Sequence, residues 1–168
     1  MCSSDLTWAA GVDSAGQLWR LKDRSRLERV GDRFALEGRR TRQLASVDRG
    51  AGADAVVLTD AGIAVVDGPR VITYPSRATA IAAGPRGVIA WADGEGVLRT
   101  AGDAASTRRY ALAGVRDVAV DRRGVTWAAR ADGVYVEGEG GLALAYRATS
   151  GEIHGLVAAG DRVWFAEG

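Results

Sequence analysis

The sequence predicts an all-β fold from three observations. Short blocks of β-strands recur about every 37 residues, tight glycine turns separate alternating apolar segments, and a polar, arginine-bearing segment closes each block. Of the 168 residues, 23 are glycine and only 3 are proline. Because glycine adopts positive φ without steric cost, this composition is typical of a chain with many tight turns.

The repeat unit is clearest at residues 118–127 (VAVDRRGVTW) and 156–164 (LVAAGDRVW). Each stretch is a short apolar strand, a turn of Asp, Arg and Gly, and a second strand that bears tryptophan. The same form recurs at residues 81–90 and, with a longer turn, at residues 44–57. This pattern predicts second strands near residues 7–10, 55–58, 88–91, 125–129 and 162–166.

A tight turn and a third strand follow each second strand. The turns contain Ala15-Gly16, Asp60-Ala61-Gly62, Glu95-Gly96 and Asp132-Gly133, which are strong hairpin signals between alternating apolar runs. A more polar fourth strand closes each unit, at residues 26–30, 70–74, 107–110 and 142–146. Arginines suit such a strand because charge protects an exposed sheet edge from pairing with another chain.

Four antiparallel strands repeated at this period predict a β-propeller of four-stranded blades, with about four blades in the chain and very little helix. An ordinary β-sandwich also has short strands at regular spacing, but it does not predict the recurring strand–turn–Trp unit. Residues 23–33 are the one segment that also fits a helical pattern.

Both ends of the sequence are expected to be truncated. Residues 1–6 (MCSSDL) match the translation of a common sequencing adapter, so we interpret them as an artefact and residues 7–168 as a propeller fragment. A genuine polar N-terminus is the alternative. The chain also stops within a predicted strand, at residues 164–168. The terminal pieces then either pair to complete one blade or belong to blades completed by further sequence.

Composition excludes several classes of function. With 22 Lys and Arg against 21 Asp and Glu there is no basic block of the kind that binds nucleic acid, and no apolar run is long enough to span a membrane. Cys2 is the single cysteine, so internal disulfides and multi-thiolate metal sites are excluded. Lys22 is the single lysine, which suggests the GC-rich codon usage of a bacterial, actinobacterial source. Cytoplasmic and secreted locations both stay open.

Tryptophan recurs at one place of the repeat, at Trp8, Trp127 and Trp164, with Trp91 displaced by one residue. Large aromatic side chains fill the space between adjacent blades, so we interpret these residues as packing between sheets. A stacking platform for a sugar or an aromatic ligand is the alternative.

Two segments, residues 81–87 (IAAGPRG) and 162–168 (RVWFAEG), resemble the repeat of the streptogramin B lyases, the virginiamycin B lyase family. That repeat runs Gly-Pro-Asp-Gly, a hydrophobic residue, then Trp-Phe-Thr-Glu. Residues 71–75 (VITYP) are similar to its outer-strand ending. The resemblance implies a β-propeller fold, and its repeat motifs also occur in non-enzymatic propellers.

A more specific resemblance lies in residues 152–155 (EIHG) followed by 164–167 (WFAE), which look like a segment of the lyase site. It implies that Glu152 and Glu167 hold Mg²⁺ and that His154 is the general base in an elimination that opens a cyclic depsipeptide at its ester. These residue types suit that chemistry, because Mg²⁺ prefers carboxylate oxygens and a neutral imidazole accepts a proton near pH 7.

Asp117 is a further candidate metal ligand. It takes the place of a metal-associated histidine of the family, one blade before His154, and the spacing from His154 to Glu167 is one residue shorter than in the family. The alternative for His154 is a lone polar residue bonded to the backbone. For Asp117, Glu152 and Glu167 it is solvated charge at strand ends.

Two functions follow as hypotheses. The first is a binding, interaction or sensor module of a larger bacterial protein, with a small molecule or a protein bound at the central channel face. The second is a Mg²⁺-dependent carbon–oxygen lyase of the streptogramin B lyase type. Convergence of Asp117, Glu152, His154 and Glu167 on one point would favour the enzyme.

Overall fold

The computed structural model describes residues 7–12, 18–22, 26–29, 32–35, 41–48, 53–67, 70–74, 76–101 and 107–168. Side chains are described for residues 42–45, 55–66, 70–74, 76–100 and 107–168. The segment interpreted as an adapter artefact, residues 1–6, lies outside the described residues.

Five antiparallel sheets follow one another along the chain, and we call them blades 1 to 5. Blade 1 contains β1 (Thr7–Val12), β2 (Leu18–Lys22), β3 (Arg26–Arg29) and β4 (Asp32–Ala35). Blade 2 contains β5 (Thr41–Asp48), β6 (Ala53–Thr59), β7 (Gly62–Asp67) and β8 (Arg70–Tyr74). Blade 3 contains β9 (Ala80–Ala83), β10 (Val88–Ala92), β11 (Gly96–Ala101) and β12 (Arg108–Ala111). Blade 4 contains β13 (Asp117–Val120), β14 (Thr126–Arg130), β15 (Gly133–Gly138) and β16 (Gly141–Arg147), and blade 5 contains β17 (Ile153–Ala159) and β18 (Arg162–Glu167).

The blades are arranged around a shared centre. Within each sheet every strand pairs with its neighbour in sequence, and the first strand of each blade packs on the first strand of the next, from β1 through β5, β9 and β13 to β17. This is the arrangement of a β-propeller, so the predicted fold is confirmed. In the described part the sheets do not close into a ring, since the series of contacts between first strands ends at β1 and at β17. Its helical content is one 3-10 turn, Pro85–Gly87, and it holds no helix long and apolar enough to cross a bilayer.

The predicted second strands near residues 55–58, 88–91, 125–129 and 162–166 lie in β6, β10, β14 and β18. The first blade differs from the expectation, because residues 7–10 lie in a first strand rather than a second one. The reason is β4, which pairs with β3 in the register Arg26↔Ala35 and supplies a fourth strand that the sequence pattern did not reveal. The segment with helical character, residues 23–33, contains β3 and the start of β4.

The core lies between the blades. Alternate residues of blade 4 face opposite ways: Val118, Val120 and Ala128 pack on blade 3, whereas Ala119 and Ala129 pack on blade 5. A similar cluster joins blades 2 and 3. Because side chains on a strand alternate between faces, each thin sheet buries both faces only when it has a neighbour on each side.

The tryptophans follow the same alternation. Trp127 packs in the cluster between blades 4 and 5, and Trp91 packs in the cluster between blades 2 and 3. The displacement of Trp91 by one residue places it on the other face of its sheet, because successive side chains of a strand point to opposite faces. Trp164, at the place equivalent to Trp127, is 58% exposed. The side chain of Trp8 lies outside the described side chains.

Candidate functional site

The candidate residues lie where the first strands of blades 4 and 5 begin. Asp117 opens β13, Glu152 directly precedes β17, and His154 is the second residue of β17. Glu167 ends β18 and pairs with Ile153 across the hairpin. Since β13 and β17 are neighbouring first strands, all four residues are at the same end of the blades.

A β-bulge shapes this end of β17. The pairing with β18 shifts between His154 and Leu156, and Gly155 between them has φ 70°, a left-handed conformation that favours glycine. Ile153 and Leu156 are therefore both buried against blade 4, whereas His154 is exposed. The glycine of the EIHG motif thus sets the direction of the histidine.

Asp117 connects the first strands of blades 4 and 5. Its Oδ2 accepts a hydrogen bond of 2.8 Å from the backbone N–H of Leu156, and its Oδ1 accepts one of 2.9 Å from the N–H of Val118. Burial raises the pKa of the Asp117 carboxyl, although these two backbone donors act in the opposite direction. Both oxygens of this carboxylate already have protein donors.

Glu152 forms an ion pair with Arg116, the residue before β13. The hydrogen bond from the Arg116 guanidinium lowers the pKa of the Glu152 carboxyl, and the same contact raises the pKa of Arg116. The two side chains are about half exposed, at 46% for Arg116 and 54% for Glu152, so the pair is accessible from solvent. An exposed pair of this kind contributes little to stability.

His154 is exposed, and its Nε2 lies 3.1 Å from the carbonyl oxygen of Gly168. A carbonyl oxygen only accepts hydrogen bonds, so Nε2 donates, and the neutral ring then has its lone pair on Nδ1. This contact with the backbone agrees with the alternative interpretation of His154, a lone polar residue bonded to the backbone. A free Nδ1 lone pair is also what a general base needs.

Glu167 lies on the opposite face of blade 5 from His154. Cross-strand partners share a face, so Glu167 faces blade 4 with Ile153, whereas His154 and its partner Ala166 face away. The Glu167 carboxylate accepts hydrogen bonds from the Tyr146 hydroxyl at 2.6 Å, from the N–H of Ser150 at 2.6 Å, and from the N–H of Thr149. These donors, Ser150 first, lower the pKa of Glu167 from its ordinary 4.5 to about 2.

The structure therefore brings Glu152 and His154 to one exposed surface and places Asp117 beneath it. Glu167 faces the interface between blades 4 and 5, which we call the seam. Within the described residues, no three His, Cys, Asp or Glu side chains form a group that could hold a metal ion. Their present partners also differ from a magnesium ligand set, since Glu152 is bound to a cation and Glu167 to donors of three residues. The magnesium site stays a prediction.

Tyr146, the partner of Glu167, was not among the site residues predicted from the sequence. The sequence does contain a signal for it, because Tyr74, Tyr110 and Tyr146 recur every 36 residues in the fourth strands. Tyr110 makes a similar contact one blade earlier, donating a hydrogen bond of 2.5 Å to Glu137, which lies in the third strand of blade 4 and not in the second. A tyrosine–glutamate bond thus links blade 3 to blade 4 and blade 4 to blade 5.

The lowered pKa of Glu167 gives a pH-dependent stability. A carboxyl whose pKa falls on folding stabilises the native state above its unfolded pKa, and the contribution is lost as the pH falls through the folded value. We therefore expect wild type to be more stable than Glu167→Gln above about pH 5, and the difference to disappear between pH 4.5 and about 2. Thermal unfolding at each pH measures this, with Glu139→Gln on the exposed β15–β16 turn as the matched control. A wild-type advantage that persists unchanged to pH 2 would contradict the bonds assigned to Glu167.

The fold defines this chain as a β-propeller, and comparison with solved structures places it beside propellers of several functions. No protein-family model matches the chain, and no curated protein sequence matches it either. Virginiamycin B lyase from Staphylococcus aureus, in a catalytically inactive variant with quinupristin, is similar with a TM-score of 0.69 and 11% identity. The similarity covers 99% of this chain and 64% of the lyase chain.

Two further structures are similar to the chain. The extracellular domain of a hybrid two-component system from B. thetaiotaomicron has a TM-score of 0.62 and 17% identity, over 88% of this chain and 24% of that one. The calcium-binding protein regucalcin from Agrobacterium tumefaciens has a TM-score of 0.61 and 16% identity, over 94% of this chain and 65% of that one. At these identities the similarity shows the β-propeller fold, which hosts unrelated functions. The chain spans less than two thirds of each of these structures.

Proposed function

We propose that this chain is a binding module that recognises a small molecule or a protein segment where the first strands of blades 4 and 5 begin. The observation that supports it is the exposed surface formed by Arg116, Glu152 and His154 on neighbouring first strands. A cation, a carboxylate and an imidazole there offer charged donors and acceptors within one small area. Such convergent polar groups on a rigid scaffold orient a ligand.

The binding hypothesis also agrees with how the site is built. The exposed Arg116–Glu152 pair adds little to folding, so its charges are available to a ligand. Beneath it, Asp117 and the bulge at Gly155 fix the backbone of both strands. The extracellular domain of a two-component system is among the similar structures, so a sensor module of a larger bacterial protein is the form of this proposal that we favour.

A thermal-shift screen tests the proposal. We expect at least one class of compounds in a library of metabolites and cyclic peptides to raise the Tm of the chain, because a ligand that binds only the native state stabilises it. The shift should be lost in Arg116→Gln/His154→Ala and retained in Arg162→Gln, a variant at the opposite end of the blades. A library without hits, or hits that persist in the double variant, would refute binding at this surface.

An elimination reaction is the second candidate function, and the orientation of His154 favours it. With Nε2 donating to Gly168, Nδ1 can take the proton from the carbon next to a substrate carbonyl. The electron pair of that C–H bond then forms a carbon–carbon double bond, and the ester C–O bond breaks to release a carboxylate. Because the three carboxylates do not form one ligand set as they stand, this proposal rests on His154 and not on a metal.

Quinupristin, the compound present with the similar lyase, separates the two candidates. For the lyase we expect a ring-opened product of unchanged mass, and loss of turnover of at least about 100-fold in His154→Ala. Hydrolysis would instead add the mass of one water. Binding without any product, measured by tryptophan fluorescence, would support the binding module and exclude turnover of this substrate by the chain. Arg162→Gln is the control variant here as well.

A further inference from the structure

The opposite end of blades 3, 4 and 5 has arginine in the first hairpin of each blade. Arg86 lies between β9 and β10, Arg122 and Arg123 lie between β13 and β14, and Arg162 begins β18. The first strands lie side by side, so their hairpin turns share one end, away from the site described above. We call Arg86, Arg122, Arg123 and Arg162 the arginine rim.

Contacts between the turns hold this rim together. The Arg86 guanidinium donates a hydrogen bond of 2.8 Å from Nη2 to the carbonyl oxygen of Arg123, which joins blade 3 to blade 4. The Arg122 N–H donates to the carbonyl oxygen of Gly160 at 3.4 Å, and the Arg122 side chain forms an ion pair with Asp161, which joins blade 4 to blade 5. The charges are therefore positioned before any ligand arrives, which reduces the entropy cost of binding.

The carboxylates at this end neutralise the rim only in part. Asp121 is 1% exposed, and it accepts hydrogen bonds from the N–H groups of Arg123 and Val125 and from Trp127 Nε1, besides its ion pair with Arg123. Asp161 is about half exposed and is paired with Arg122. Glu139, on the β15–β16 turn, is exposed but belongs to the outer half of its blade.

All four rim arginines are exposed, with 68% of the Arg122 side chain and 63% of the Arg123 side chain accessible. The chain as a whole has a net charge of +1. Among the described side chains, the four rim arginines face two paired carboxylates, Asp121 and Asp161, so this end has an excess of positive charge. Such a concentration attracts anionic partners and speeds their association.

The backbone of Arg86 supports a role beyond local folding. Its φ of 56° and ψ of 33° place it in the left-handed region, which is unfavourable for a residue other than glycine. Strained positions of this kind concentrate at functional sites. The strained turn directs the Arg86 side chain onto the next turn of the rim.

We propose that the arginine rim binds an acidic protein segment in which several Asp or Glu side chains follow one another. Guanidinium groups bind carboxylates in a planar, two-bond geometry, and an arginine in each successive hairpin matches a row of carboxylates. A carboxylate partner is favoured over nucleic acid, because the sequence pI is 7.9 and nucleic-acid-binding domains are typically much more basic.

The test is fluorescence anisotropy with a labelled peptide of about ten glutamates at low ionic strength. Wild type is expected to bind, and Arg86→Gln/Arg162→Gln to bind about tenfold more weakly, since two exposed charges are lost. Arg77→Gln/Arg108→Gln is the matched control, because it removes two exposed arginines elsewhere and should bind as wild type does. Added salt should weaken the binding of wild type. Equal far-UV spectra and Tm values would show that both double variants are folded.

Three results would overturn the proposal. One is the absence of peptide binding by wild type at low salt. Another is an equal loss of affinity in the two double variants, which would show attraction by overall charge rather than by the rim. The last is binding of inorganic polyphosphate, lost in Arg86→Gln/Arg162→Gln, without any binding of the glutamate peptide, which would assign the rim to phosphate ligands.

Discussion

Replacement of Asp117 by alanine is expected to lower the free energy of unfolding by about 3 kcal/mol. The Asp117 carboxylate accepts the backbone N–H groups of Val118 and Leu156, and both of those residues are almost completely buried. Alanine would leave both donors without their acceptor, and each unsatisfied buried donor costs about 1–3 kcal/mol. Because Leu156 belongs to blade 5, the loss is expected to loosen the contact between two blades and not one strand alone.

Urea-induced unfolding followed by tryptophan fluorescence, in the presence of EDTA, measures this effect without any contribution from a metal. Asp117→Asn retains one acceptor oxygen, so about half of the loss is expected. Glu152→Ala is the control, because it removes an exposed ion pair from the same surface and should cost less than about 1 kcal/mol. An Asp117→Ala variant no less stable than Glu152→Ala would show that the seam does not depend on this carboxylate.

The role of Asp117 shows which features of a site can be predicted from a sequence repeat and which cannot. Gln43, Ala80, Asp117 and His154 lie at steps of 37 residues, each near the start of a first strand. Gln43 accepts the N–H of Ile81 in the next blade at 2.8 Å, as Asp117 accepts that of Leu156. The period is visible in the sequence. The hydrogen bond from this position to the next blade is not visible there, because its partner is about 38 residues away along the chain.

The fold was predictable because its determinants are local. Hairpin turns such as Asp132-Gly133 and alternating apolar strands mark each blade without any knowledge of its neighbours. The first blade was assigned wrongly where that local pattern is weak. Residues 32–35 (DRFA) form a four-residue strand, and the arginines of β3 resemble those of an edge strand although β4 covers that edge.

The candidate site was less predictable, because strand alternation is sensitive to single residues. The motif places His154 and Glu167 in one hairpin, and on sequence alone they appear as partners. The bulge at Gly155 and the pairing of Ile153 with Glu167 place the two side chains on opposite faces. In the sequence Arg116 is only the neighbour of Asp117. Its ion pair with Glu152 could not be predicted, because it joins two blades.

Close approach of the backbone also explains part of the glycine content. A Cβ added to Gly133 would lie 2.3 Å from the carbonyl oxygen of Tyr146, and one added to Gly96 would lie 2.3 Å from that of Tyr110. Both glycines open the third strand of a blade, and both tyrosines lie in the fourth strand. The repeat therefore needs glycine here because the fourth strand passes too close for a side chain.

Gly133→Ala is accordingly expected to cost about 2–3 kcal/mol of stability, because the clash is with a backbone carbonyl and no side-chain rotation relieves it. Gly140→Ala is the matched control, since a Cβ at Gly140 meets nothing within 4 Å and should change stability by less than about 1 kcal/mol. Thermal and urea unfolding of both variants, with Gly96→Ala as a second test in blade 3, measure the difference. If Gly133→Ala and Gly140→Ala unfold alike, the fourth strand can move away at little cost, and the close packing of third and fourth strands is not what requires glycine at these positions.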